Sequence, residues 1–167
     1  MMKNYRIELK WAIVFVLMTL TWMVIEKLAG MHSTHIDKHA IFTNLIAIPA
    51  ITVYVLALRD KRQNFYKGTM SYKQSFVSGL IITLLVTAIS PLTQVIVSEA
   101  IAPEYFPNMI LYAVTEGNMT QEAAEAYFNL KSYIVQGLIG APLMGLLTTA
   151  LVALFTKSKT KKQLVAA

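Results

Sequence analysis

The sequence contains no cysteine, which excludes a disulfide framework and all chemistry that needs a thiolate. Charge is scarce: Asp, Glu, Lys and Arg make up 14% of the 167 residues, against about 25% in an ordinary soluble domain. Hydrophobic residues reach 56% and the mean hydropathy is +0.53. A water-soluble chain of this length has no interior large enough to hide that much apolar surface. Catalytic signatures are also missing. There is no HExxH, no GxSxG, no glycine-rich phosphate loop and no Cys–His pair, so a non-enzymatic role is favoured over an enzymatic one.

Four long apolar runs take the place of these features. WAIVFVLMTLTWMVI starts at Trp11 and extends to about Ala29. AIFTNLIAIPAITVYVLAL covers 40–58, FVSGLIITLLVTAISPLTQVIVS covers 76–98, and YIVQGLIGAPLMGLLTTALVALF covers 133–155. Each is long enough to cross a bilayer as a helix. The first run is too long for a signal-peptide core, and Glu26 and Lys27 stand where a small-residue cleavage site belongs, so it is read as retained. The expected fold is an all-α integral membrane protein, a bundle of four transmembrane helices. Residues 1–156 form the single membrane domain and 157–167 a basic cytoplasmic tail.

The cations segregate. Lys3, Arg6 and Lys10 precede the first run. Arg59, Lys61, Arg62, Lys67 and Lys73 fill the second connection, and Lys157, Lys159, Lys161 and Lys162 follow the last run. Only Lys27, Lys38 and Lys131 fall on the other side, where seven of the nine acids lie. The positive-inside rule then puts both termini in the cytoplasm (N-in/C-in). The basic segments serve as contacts to anionic lipid headgroups, and no nucleic-acid partner is expected, although the pI is about 9.5.

Connections carry their own signals. SYKQ (71–74) is a capping-box pattern that starts the third helix. The segment 99–132 lies outside the membrane and contains Pro103, Pro107 and three aromatics, Tyr105, Phe106 and Tyr112. It is expected to form an interfacial turn and a short helix from about Asn108 to Gly117. With no Gly or Pro between Thr120 and Gly137, the fourth helix is expected to run unbroken from a cap at Thr120 or Asn118 to about Thr156, roughly 55 Å.

Polar groups inside the runs form patterns. Thr83, Thr87, Ser90 and Gln94 share one face of the third helix, and Asn44 adds an amide to the second. Gly137, Ala141, Gly145 and Thr149 recur every four residues on the fourth, a small-residue ladder that admits a close helix partner; a homodimer or another membrane protein is the expected occupant. The polar face reads either as hydrogen-bonded packing or as the lining of a substrate path. No ionisable residue lies deep in a run, which argues against proton coupling.

The stretch from HAIFTNLIAIPAITVYVLALRDKRQNFYKGTMSYKQSFVSG to ISPLTQ, followed by MTQEAAEAYFNLKSY, resembles a family of bacterial membrane proteins from the Bacteroidota, catalogued as domain of unknown function 4199. The FYKGTMSYKQSFVSG junction and the EAYFNLKSY segment are its most specific parts. The resemblance implies a small multi-pass protein of the bacterial inner membrane. It brings no activity, cofactor or site residue.

One short stretch is chemically distinctive. HSTHIDKH (32–39) holds every histidine of the chain in the loop between the first two runs. If it is helical, His32, His35 and His39 share a face. Neutral imidazoles so placed, with Asp37 and with Glu99 from the end of the third run, suit a divalent transition metal. An interfacial polar loop without a ligand and a pH-responsive loop remain open beside it, and no cofactor is required by any other feature. The leading functional expectation is a scaffold or accessory subunit without enzymatic activity. The alternatives are a small transporter or channel, including one for a metal ion, and a metal site on the outer surface.

Overall fold

Nothing in RIELKWAIVFVLMTLTWMVIEKL breaks a helix, and α1 runs without interruption over Arg6–Leu28. The computed structural model describes residues 5–158. Among these residues there is no strand, and four helices are long and apolar enough to cross a membrane: α1, α2 (Ile36–Phe65), α3 (Tyr72–Ile101) and α6 (Leu130–Thr156). Two shorter helices, α4 (Tyr105–Thr115) and α5 (Gln121–Tyr127), connect α3 to α6. All four long helices outrun the apolar segments that announce them, because their polar end turns continue the helix. Lys3, Lys159, Lys161 and Lys162 lie outside the described residues, with most of the basic tail.

The helix boundaries follow local chemistry. α2 begins in tight turns through Ile46 and becomes regular at Ala47, so Pro49 sits in a first turn, where its missing N–H is tolerated. α3 starts at the expected box: the Gln74 N–H donates to Ser71 Oγ at 3.2 Å, and the Ser71 N–H donates to Gln74 Oε1 at 2.8 Å. Thr120 caps α5 through the Ala123 N–H. The unbroken helix expected from Thr120 to Thr156 does not form. Asn129 interrupts it, donating its amide to the Glu125 and Ala126 carbonyls at 2.9 and 2.8 Å and accepting from the Ser132 N–H at 2.9 Å. One side chain thus closes α5 and opens α6 (the competition of Asn with the backbone that ends helices without Gly or Pro).

The helices alternate in direction, so the two ends of the described chain lie at one end of the bundle. We call this the terminal end, and the end carrying α4 and α5 the distal end. α3 and α6 are the most intimate pair. The small-residue face of α6 is spent inside the chain: a Cβ on Gly145 would come 2.4 Å from the Thr83 methyl, and one on Gly79 would come 2.4 Å from that of Thr149. Gly145 and Thr149 are therefore covered by α3, and this part of the ladder expected to receive a second copy is already occupied.

At the terminal end the bundle is filled. Ala12, Tyr54, Ala57, Leu58, Met70, Ile82 and Val152 form its core, and the Tyr54 hydroxyl lies 2.7 Å from Thr83 Oγ1. Beside this core a charge pair is fully buried. Lys61 Nζ lies 2.8 and 3.0 Å from the two oxygens of Glu8, and Ser78 Oγ donates to Glu8 Oε1 at 2.8 Å. Asp60 ties α2 to α1 through Lys10 and through the Trp11 indole at 2.7 Å. α4 and α5 pack on one another around Ala113, Ala124 and Phe128.

The outward faces are as apolar as the core. Leu28, Ile41, Leu111 and Phe155 are 67–82% exposed, and only 11–22% of the most apolar stretch of each long helix is buried. Apolar faces of this extent call for a bilayer to cover them.

Candidate metal centre

The distal end of α1 is closed by a glycine. Gly30 has φ +73°, and the turn around it satisfies the last carbonyls of the helix: the Gly30 N–H donates to Lys27 O at 2.9 Å and the Met31 N–H to Glu26 O at 3.0 Å. This left-handed C-terminal motif reverses the chain. The Gly30 carbonyl then accepts from the Ser33 and His35 N–H groups. The reversal brings His32 back beneath the final turn of α1, against Glu26, six residues earlier.

Three side chains meet there. Glu26 is completely buried and His32 is 1% exposed. Glu26 Oε1 accepts from the Trp22 indole at 2.5 Å. Its other oxygen faces both imidazoles, with His32 Nε2 at 3.2 Å and His39 Nε2 at 3.5 Å. His39 comes from the first turns of α2, which Trp22 and Phe42 hold against α1 by stacking at 5.6 Å. The ring of Tyr105, from the start of α4, lies 5.1 Å from His32 and 5.0 Å from His39. Its hydroxyl is 3.1 Å from that of Tyr133 on α6, and burial raises the Tyr105 pKa further than its neighbours do. Asn108 donates to the His32 carbonyl at 2.8 Å, fixing the loop to α4.

The electrostatics of this cluster are unbalanced. A buried carboxylate costs several kcal/mol unless a cation or hydrogen bonds compensate it. Among the described residues the only basic partners of Glu26 are the two histidines. Lys27, next in sequence, turns away to the Ile101 carbonyl and Glu104. His39 Nε2 is buried without a hydrogen-bond partner. Hydrogen bonds from Trp22 and Thr43 compensate the carboxylate in part, and a proton on an imidazole or a bound cation would supply a full countercharge.

The geometry accommodates the cation. Glu26, His32 and His39 each offer one ligand atom, all within 4.8 Å of one another. Ligands about 2.0–2.2 Å from a tetrahedral ion stand roughly 3.4 Å apart. The two separations at Glu26 Oε2, 3.2 and 3.5 Å, bracket that value. Two imidazoles and one carboxylate suit Zn²⁺ and its first-row neighbours rather than Mg²⁺ or Ca²⁺, which prefer oxygen alone. The second hydrogen bond usual for a ligating imidazole is missing at His32, whose Nδ1 is buried without a partner.

A cavity of about 300 Å³ adjoins the cluster, with His32, His39, Tyr105 and Tyr133 at one end. It runs between α1, α3 and α6 as far as Phe15 and Ala141. Phe15, at its far end, meets Tyr54 edge-on, and the Tyr54 hydroxyl bonds Thr83.

The structure distributes the residues singled out in the sequence. His32 and His39 come together, and the third member of their cluster is Glu26, which the histidine spacing does not reveal. His35 is exposed and bonded to its neighbour Thr34. Asp37 and Glu99 are exposed, and neither joins the cluster. The shared helical face required of His32, His35 and His39 does not form, because the chain is a turn until Ile36. On α3, Ser90 and Gln94 line the cavity, Thr83 bonds Tyr54, and Thr87 Oγ1 is buried without a partner. Asn44 is exposed and donates to Ala40 O on its own helix at 2.6 Å. Gly137 and Ala141 line the cavity, whereas Gly145 and Thr149 pack on α3. Two acids read as flanking charges, Glu8 and Glu26, are the most deeply buried of the chain. Glu8 lies in the first turn of α1 and Glu26 near its last, where a helical side chain at the edge of an apolar run still reaches the bundle interior.

Residues 10–158 match the family described as protein of unknown function (DUF4199), and the chain belongs to it. No curated protein and no solved structure matches the sequence.

Proposed function

We propose that this member of the family is a multi-pass protein of a bacterial inner membrane that binds a divalent transition-metal ion through Glu26, His32 and His39. Both termini face the cytoplasm, and the metal centre lies at the outer end of the bundle, under α4 and α5 at the membrane interface. Residues 1–156 act as one membrane domain, followed by a basic tail. The orientation is supported by Lys10, Lys61, Arg62, Lys73 and Lys157, which all belong to the basic side of the sequence; of these, the exposed Lys73 and Lys157 suit anionic lipid headgroups. A second copy or another membrane protein would have to dock away from Gly145 and Thr149.

The observation that carries the metal reading is the convergence of two imidazole nitrogens on one buried carboxylate oxygen that, among the described residues, pairs with no lysine or arginine. Ionisable groups held inside a membrane bundle mark functional sites. The test is metal uptake by untagged protein in mild detergent, measured by elemental analysis after Zn²⁺ or Co²⁺ loading and washing. Wild type should retain about one equivalent. Glu26→Gln and His39→Ala should retain none, while His35→Ala, Asp37→Asn and Glu99→Gln should bind as wild type does. No uptake, or uptake indifferent to Glu26 and His39, overturns the reading and puts the scaffold or accessory role ahead.

A further inference from the structure

Three protein ligands leave at least one position of a divalent ion open. His32 and His39 themselves line the adjoining cavity, together with the Tyr105–Tyr133 pair. We propose that this cavity takes a monoanionic amphiphile, a medium-chain carboxylate, with its head on the metal and its chain running down between α1, α3 and α6. The inference rests on the metal reading above and specifies the ligand of the same site.

Charge selects the head. A divalent ion with one carboxylate ligand and two neutral imidazoles leaves a net charge of +1 in a buried setting. One monoanion neutralises it; a neutral ligand leaves the charge uncompensated, and a dianion reverses it. Hydrogen bonding points the same way. Two tyrosine hydroxyls that share one hydrogen bond have one O–H left to donate. A carboxylate offers a second oxygen for that proton while the first coordinates the metal, and a hydrogen bond to an ionised acceptor is of the stronger kind.

The chain is selected by the walls. Below the tyrosines the cavity is bounded by Phe15, Val86 and Ile134, with room left by Gly137 and Ala141. Tyr133 and Ala141 are both lining residues of α6, and their separation along the helix is about 12 Å, the reach of a medium-length acyl chain. The hydroxyls along the way are largely committed to their own helix: Ser90 donates to Thr87 O and Thr93 to Ile89 O. An apolar chain therefore meets few polar groups that demand a partner. The volume of about 300 Å³ lies at the lower bound of small-molecule sites.

The visible spectrum of bound Co²⁺ reports its coordination, which makes the Co²⁺-loaded protein its own probe. Octanoate should change that spectrum saturably, at concentrations at least tenfold below those needed for acetate, which shares the head and lacks the chain. Ala141→Leu and Thr93→Leu fill the cavity from two different helices. At least one should fold and keep the Co²⁺ spectrum of wild type, with an octanoate response weakened tenfold or more. Failure to take up Co²⁺ would sink the metal reading itself. Normal Co²⁺ uptake with no response to octanoate overturns the ligand alone. Equal responses to acetate and octanoate, or a full octanoate response in the folded variants, overturn the role of the cavity.

Discussion

Gly145 of α6 lies so close to Thr83 of α3 that a Cβ on the glycine would meet the threonine methyl at 2.4 Å. The same relationship recurs one turn away with the roles exchanged, between Gly79 of α3 and Thr149 of α6. Each helix supplies one glycine and one threonine, and the reciprocity sets the spacing of the pair. Thr83 is fixed further because it donates to Gly79 O at 3.0 Å while Tyr54 approaches at 2.7 Å.

Gly145→Ala should therefore destabilise the bundle by roughly 1–3 kcal/mol through overpacking. Combining it with Thr83→Ala, which removes the two closest atoms, should cost less than the sum of the single changes. Thermal unfolding in detergent measures all three variants. Strict additivity would show that the two residues do not collide.

The Glu8–Lys61 pair makes a second prediction. Removing one member of a buried ion pair costs about 3–5 kcal/mol, whereas replacing both by apolar groups is often close to neutral. Glu8→Met alone leaves the Lys61 ammonium without its carboxylate, and should lower the unfolding midpoint sharply. Glu8→Met with Lys61→Met should recover most of the loss. A single variant as stable as wild type would show that the pair contributes nothing.

Asn129 joins two helices by serving both ends. Asn129→Ala removes the cap of α6 and the two bonds to the last turn of α5. The expected cost is about 0.5–2 kcal/mol, the usual range for an N-cap. Hydrogen exchange should accelerate at the backbone amides around 128–133 and remain as in wild type across α3. Unchanged exchange there would mean that the break at Phe128 does not depend on the side chain.

Gly30 and Gly117 separate backbone strain from site geometry. Both have positive φ, but a Cβ on Gly30 would meet Thr34 Oγ1 at 2.4 Å, whereas one on Gly117 meets nothing within 4 Å. Each Ala substitution carries strain of about 1–3 kcal/mol. Only Gly30→Ala must also displace the turn that delivers His32 to Glu26. It should weaken Zn²⁺ binding at least tenfold with helical content unchanged, and Gly117→Ala should bind as wild type does. Equal binding by both would detach His32 from the metal centre.

Much of the architecture is legible in residue patterns because the physics behind it is local. Four apolar runs specify four helices long enough for a bilayer, since backbone groups in lipid must be bonded within the segment. SYKQ specifies its capping box because both partners lie within four residues. The break at Asn129 is local too, yet it is obscured, because Asn is tolerated inside helices and only its simultaneous bonds to both sides reveal a stop.

The sequence by itself determined the helical class, the apolar spans, the segregation of charge between the two sides and the place of the histidines in a loop between two of those spans. Tertiary structure alone decided which side chains meet. Spacing within HSTHIDKH presupposes a helix, but the turn at Gly30 replaces it and sets His32 and His39 against Glu26 rather than beside His35. The ladder on α6 is a surface that a helix of this chain or of another can cover, and only the packing of α3 assigns it. Period and composition report what each segment prefers by itself; the partners of Glu8 and Gly145, and the approach of His39 to Glu26, depend on closeness between helices, which no local preference encodes.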